Sequence, residues 1–221
     1  MMNRLSTILS ASLAIFLFWF APCMAQTKVA IFFDVSDSMR SVVSESVNSL
    51  QAQFNAFGEA VASVREATQE GVFCPVDLVA KGWSSSEKYI VETKIDNAQA
   101  LLRAENAIRT AAGFSNQDTP HAAAIASALR HVGSDGRRQI FLTTDEAPRG
   151  GVAEYLRHAV ATGVGVTLVV YRGNPIAKEW RMILDEVGMP SSNVINMAEE
   201  DGNKQLQRKV SDVFLHCAPS A

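Results

Sequence analysis

Two short stretches of this chain leave no polar face. Lys28 to Phe33 (KVAIFF) and Gly165 to Tyr171 (GVTLVVY) are rich in β-branched and aromatic residues, with apolar side chains at consecutive positions rather than alternate ones. A strand of that kind has to be covered on both sides, as central strands of parallel sheets are. Parallel strands need long crossover connections, usually helices. The sequence supplies them. From Met39 to Thr68 the residues Val43, Val47, Leu50, Phe54, Phe57, Val61 and Val64 recur at steps of three and four, which predicts one long helix. Its apolar stripe reads as packing surface for a sheet.

The rest of the chain keeps alternating. Val76–Ala80 and Lys88–Glu92 read as strands joined by a turn through Gly82-Trp83-Ser84-Ser85-Ser86. Asp96–Ala112 reads as a helix closed by Gly113. Thr119-Pro120 opens an alanine-rich helix to about His131, with Thr as cap and Pro as first helical residue. Arg138–Thr143 is the next strand, Val152–Ala161 a helix closed by Gly163, and Pro175–Val187 a helix stopped by Gly188 and Pro190. A short strand, Asn193–Met197, and an amphipathic helix, Lys204–His216, end the chain. The expected fold is α/β: a doubly wound, mostly parallel six-stranded sheet with helices on both faces.

The first residues stand outside that pattern. Met1–Arg4 carry one positive charge, Leu5–Phe20 are apolar without charge, and Ala21-Pro22-Cys23-Met24-Ala25 supplies small residues suited to a signal peptidase. Residues 1–25 therefore read as a cleaved export signal, with an uncleaved membrane anchor as the alternative. The apolar run is short for a span of ~20 residues. Residues 26–221 then form one domain. They hold 19 basic and 23 acidic residues, a net charge of −4. This mild acidity gives no footing for nucleic acid or an anionic membrane. The mature chain keeps Cys74 and Cys217, which an oxidising compartment allows to pair as a disulfide. Two buried thiols are the alternative. Neither belongs to a CxxC motif, so zinc or redox use has no support. A mild charge and no further anchor fit export to a bacterial periplasm or secretion, and the lack of an N-x-[ST] acceptor speaks against a eukaryotic secreted protein.

In open α/β sheets, ligands bind beyond the C-terminal ends of the strands, near the point where strand order reverses. The polar residues there are Asp34, Ser36, Asp37 and Ser38 after the first strand, and Thr144, Asp145 and Glu146 after the fourth. Gln117, Asp118 and Thr119 precede the alanine-rich helix, and Arg172, Gly173 and Asn174 follow GVTLVVY. The groups around Asp34, Thr119 and Asp145 offer carboxylates and hydroxyls without His or Cys. Hard oxygen donors select Mg²⁺, Mn²⁺ or Ca²⁺ over zinc or copper. Asp34 and Asp145 balance a doubly charged ion, and Ser36, Ser38 and Thr119 add neutral oxygens while leaving a position open. Ordinary readings exist too: Ser36 and Ser38 can cap the long helix, and Asp145 can end a strand. His121, His131, His158 and His216 read as scattered surface residues. Glu154 and His158 share a helical face but lack a third ligand. Trp83 is either an exposed contact or a packing residue.

Asp34-Val35-Ser36-Asp37-Ser38-Met39, Asp118-Thr119-Pro120-His121-Ala122 and Phe141-Leu142-Thr143-Thr144-Asp145 resemble, in that order, the three elements of the von Willebrand factor type A (vWA) domain and its metal-ion-dependent adhesion site (MIDAS). The resemblance covers nearly the whole mature chain. It implies a Rossmann-like vWA fold and metal ligands Asp34, Ser36, Ser38, Thr119 and Asp145. It implies a divalent cation, Mg²⁺ first with Mn²⁺ and Ca²⁺ as alternatives, and a protein partner whose acidic side chain completes the coordination. Two departures stand out: Gln117-Asp118 replace the usual glycines before the Thr, and Glu146 replaces the usual Gly after the Asp. Asp37, Asp118 and Glu146 thus put acid on the ligand rim, which either favours Ca²⁺ or repels a carboxylate partner.

The expected function is an exported, metal-dependent binding domain for adhesion or assembly, without catalysis. A metal-dependent hydrolase or phosphatase is one alternative. The acid spacing is wrong for a phospho-Asp nucleophile, and neither a G-x-S-x-G elbow nor a phosphate-binding glycine loop occurs. A vWA scaffold that makes no use of its metal is the other alternative, with Asp34, Ser36 and Ser38 counting against it.

Overall fold

The computed structural model describes residues 26–40, 42–44, 47–67, 74–84, 87–111 and 120–215. The expected export signal at 1–25, and Ser85, Ser86, Gly113, Gln117, Asp118, Thr119, His216 and Cys217, lie outside the described residues.

The strands are β1 (Thr27–Asp34), β2 (Val42–Ser44), β3 (Val47–Asn48), β4 (Val76–Trp83), β5 (Glu87–Ile95), β6 (Arg137–Thr144), β7 (Gly165–Val170) and β8 (Val194–Asn196). The helices are α1 (Ser49–Ala67), α2 (Ala98–Arg109), α3 (His121–Val132), α4 (Val152–Thr162), α5 (Asn174–Glu186) and α6 (Gly202–Leu215). Six strands form one sheet in the order β5-β4-β1-β6-β7-β8, with β2 and β3 as a separate small hairpin. All main-sheet pairs are parallel except β4–β5, which is antiparallel as the turn signal required. The expected six-stranded α/β fold is therefore present.

Alternate side chains of β1 feed opposite layers. Val29, Ile31 and Phe33 face α1, α2 and α6, while Ala30 and Phe32 face α3, α4 and α5. Phe33 meets Phe54 and Phe57 of α1 at ring distances of 5.0 and 5.1 Å, and Phe57 meets Phe141 of β6 edge-on at 5.7 Å. Such aromatic pairs add to the burial they already gain. They fix α1 across the middle of the sheet.

Three expectations need correction. The long helix does not begin at Met39. Asp37–Arg40 is a short 3-10 turn, Val43 and Val47 lie in the small hairpin, and the helix starts at Ser49. The valines Val42, Val43 and Val47 lose side-chain freedom in a helix and suit strands, so the spacing of Val43 and Val47 imitated a helical stripe. Pro120 occupies the cap position with extended backbone (φ −75°, ψ 100°), and the helix begins at His121. The helix after β5 ends at Arg109, before the expected Gly113, with Thr110 turned onto the Asn106 carbonyl. The remaining elements differ from expectation by a few residues at their ends.

The chain runs from β1 outward to β4 and β5, then returns to place β6 on the other side of β1. The strand order thus reverses between β1 and β6. Asp34 closes β1, and Asp145 follows β6 directly.

Candidate metal centre

Asp34 is fully buried, and its backbone is held from three sides. Its N–H donates to Thr143 Oγ1 at 2.8 Å, and its carbonyl accepts from Gln53 Nε2 at 2.6 Å. Thr143 and Gln53 also bond to each other. The next residue, Val35, extends the ladder to Trp83 at 3.1 Å. One polar side chain on the apolar face of α1 thereby pins the ends of β1 and β6 together. Unpartnered, these buried groups would each cost about 1–3 kcal/mol.

Beyond Asp34 the chain turns back on its own carboxylate. Ser36 N–H donates to Asp34 Oδ1 at 2.9 Å, a local turn that Asp favours. Met39 N–H then closes a tight turn onto the Ser36 carbonyl at 3.2 Å. The two serine hydroxyls meet at 2.9 Å, and Ser38 Oγ donates to Asp145 Oδ1 at 2.9 Å. Asp34, Ser36, Ser38 and Asp145 are thus brought together as expected. The serines do not cap the long helix, which starts eleven residues beyond Ser38 at Ser49.

Each carboxylate keeps an oxygen in reserve. Oδ2 of Asp34 and Oδ2 of Asp145 are both buried without a hydrogen-bond partner. Arg172 Nε stands 3.3 Å from the Asp145 oxygen, at ion-pair distance but without donor alignment. Burial pushes the Asp34 carboxyl up to about 7; the Ser36 hydrogen bonds oppose this, and the charges of Asp145 and Glu146 add to it. Desolvated, like-charged carboxylates beside two hydroxyls are the donor set that a hard divalent cation stabilises. The residues present therefore fit such an ion. Among the described residues no group of three or more His, Cys, Asp or Glu side chains comes together, so the candidate rests on two carboxylates and hydroxyls.

Two of the acids at the site are matched by arginines. Glu146 is paired with Arg149 at 2.9 Å, and Asp145 with Arg172. Asp37 is exposed on the 3-10 turn. Asp118 and Thr119 fall outside the described residues, but the start of α3 just after them is tied to the site. His121 Nε2 lies 2.8 Å from Thr144 Oγ1, which also accepts the Glu146 N–H at 3.1 Å. His121 is wholly buried, which corrects its reading as a surface histidine. It sits between Trp83 at 5.5 Å and Trp180 at 5.2 Å. Burial, then the charge of Arg149, lowers its pKa to about 4, so it is neutral near pH 7. Trp180 Nε1 donates to the Glu146 carbonyl at 2.9 Å and holds the Asp145 loop from the α5 side. Trp83 is a packing residue, 1% exposed at the end of β4.

In the sequence, Gln53 and Trp180 have no part in the site, Thr143 and His121 enter only as flanking residues of the motif, and Arg172 only among the polar residues after a strand. Gln53 left one trace, as a polar residue between Leu50 and Phe54 on an otherwise apolar stripe. Cys74 is disulfide-bonded, through a partner outside the described residues. Among the described residues no helix is long and apolar enough to cross a membrane.

No protein-family profile matches the chain, and no curated protein matches it in sequence. Solved structures do resemble it. Proximal thread matrix protein 1 from the mussel byssus superposes with a TM-score of 0.61 at 14% identity, over 90% of this chain and 49% of that one. The same mussel protein has also been solved with a zinc-occupied MIDAS motif. The pilus adhesin SpaC from Lactobacillus rhamnosus GG gives 0.60 at 12% identity, over 85% of this chain and 30% of that one. A von Willebrand factor type A protein from Catenulispora acidiphila gives 0.54 at 13%, over 85% and 42%. The chain thus spans half or less of each of these three proteins. At such identities the likeness shows the fold, which is of the vWA-like, Rossmann-related kind.

Proposed function

We propose that this chain is an exported, metal-dependent protein-binding domain that performs no catalysis. Asp34, Ser36, Ser38 and Asp145 would hold a divalent cation, Mg²⁺ by preference, with Thr119 reaching in from the segment before α3. The ion would supply a positive centre with one position left for an acidic side chain of a partner protein. The observation that carries this reading is the pair of buried Asp34 and Asp145 oxygens without hydrogen bonds, beside two linked serine hydroxyls at the strand-order reversal. The resemblance to a matrix protein and a pilus adhesin supports a role in adhesion or assembly.

This chain's residues supply rigidity more than reactivity. Gln53 and Thr143 fix Asp34, Ser38 orients Asp145, and His121 and Trp180 hold the loop that carries Asp145. A cation that binds the folded state alone stabilises it by about 2.7 kcal/mol at one hundred times its dissociation constant. Millimolar Mg²⁺ or Mn²⁺ should therefore raise the Tm of the mature protein. Asp34→Ala should abolish the shift while the chain stays folded. Absence of any shift in the wild type sinks the metal site. Turnover of a phosphate ester that is lost in Asp34→Asn would favour the hydrolase instead.

A further inference from the structure

Arg172 lies two residues beyond the end of β7 and crosses to the Asp145 carboxylate after β6. Its side chain is 48% exposed, whereas that of Asp145 is wholly buried. The two carboxylate oxygens are used differently. Oδ1 takes the Ser38 hydroxyl, and Oδ2 faces the guanidinium with no hydrogen bond of its own. Glu146, the other acid nearby, is paired with Arg149. Among the described residues Asp145 is the one carboxylate within ion-pair distance of Arg172.

A guanidinium and a divalent cation therefore make claims on the same carboxylate. Two positive groups on one buried carboxylate repel each other, and the low local dielectric strengthens the repulsion. A guanidinium is weakly hydrated and always charged, so neither deprotonation nor dilution removes it. Its half-exposed position lets it swing into water without unpacking the core.

Resting on the metal-site reading above, we propose that Arg172 is a built-in counter-cation of Asp145 which an incoming divalent ion must displace, so that Arg172 sets how tightly the site takes its metal. Removal of the arginine charge should tighten metal binding, although the same change deletes an ion pair.

The test is Mn²⁺ binding to the mature chain, read from the free-ion paramagnetic resonance signal, for wild type, Arg172→Gln and Arg172→Lys. Arg172→Gln should bind about fivefold more tightly, the upper end of what a partly exposed charge pair contributes. Arg172→Lys keeps the charge and should stay within about threefold of wild type on the same scale. Binding by Arg172→Gln alone would also support the proposal. Wild-type binding with equal or weaker affinity in Arg172→Gln overturns it and leaves the metal site standing. No binding by any of the three overturns both.

Discussion

Asp34 gains nothing for the fold by being charged. Its carboxyl is buried and pushed up to about 7 from an unperturbed value of 3.8. The folded state thus holds a proton that the unfolded chain gives up at lower pH. With chelator present, the Asp34 contribution to stability should be fully present below pH 3.8, fall as pH rises toward 7, and level off above it. Each tenfold difference in proton affinity between the two states is worth about 1.36 kcal/mol, so the total loss is on the order of a few kcal/mol. Asp34→Asn keeps the shape without the proton, so its Tm should lack this component between pH 4 and 7. Parallel profiles for the two proteins would show that Asp34 is not desolvated as described. Asp34, Ser36, Ser38 and Asp145 were all legible in the sequence, because their chemistry is local and their motif is short. The partners that position them were not, since Thr143, Gln53 and His121 act across separations of 109, 19 and 23 residues.

Helix α1 locks β1 and β6 at their C-terminal ends through one side chain. Gln53→Ala would leave the Asp34 carbonyl and the Thr143 hydroxyl short of a partner inside the core. It should lower stability by about 1–3 kcal/mol in a denaturant titration. It should also weaken metal binding, which Phe57→Ala, a purely apolar loss of about 3–5 kcal/mol, should disturb less for each kcal/mol of stability lost. Equal loss of affinity relative to stability would remove any special role for Gln53. The same helix marks where element reading failed. A stripe of apolar residues at steps of three and four ran through Val43 and Val47, but these residues belong to a hairpin. Spacing alone does not separate a helix from a β-branched hairpin that happens to share its period.

Across the whole molecule, the terminal helix α6 is tied to the segment that leads into β4. Cys74 N–H donates to the Phe214 carbonyl at 3.1 Å, three residues before Cys217. Cys74 is disulfide-bonded, and this contact supports Cys217 as its partner. Non-reducing peptide mapping should recover Cys74 joined to Cys217. Cys74→Ser and Cys217→Ser should each lower stability by about 2–5 kcal/mol, the usual effect of losing a native disulfide. Unequal losses, or a Cys23 adduct, would redirect the pairing.

The two apolar strands KVAIFF and GVTLVVY determined a covered parallel sheet by themselves, because burial of such strands on both faces has few solutions. The short acidic and hydroxylic loops after the strands likewise supplied the residues proposed to hold a cation. Strand order and side-chain reach were decided only by the tertiary structure. Folding set β6 beside β1, so that Asp145 stands against Ser38, and set β7 beside β6, so that Arg172 reaches Asp145. It also placed Glu146 against Arg149, which relieves the acidic rim that composition suggested. Contacts of this kind depend on which strands are neighbours in space, and no local pattern encodes that.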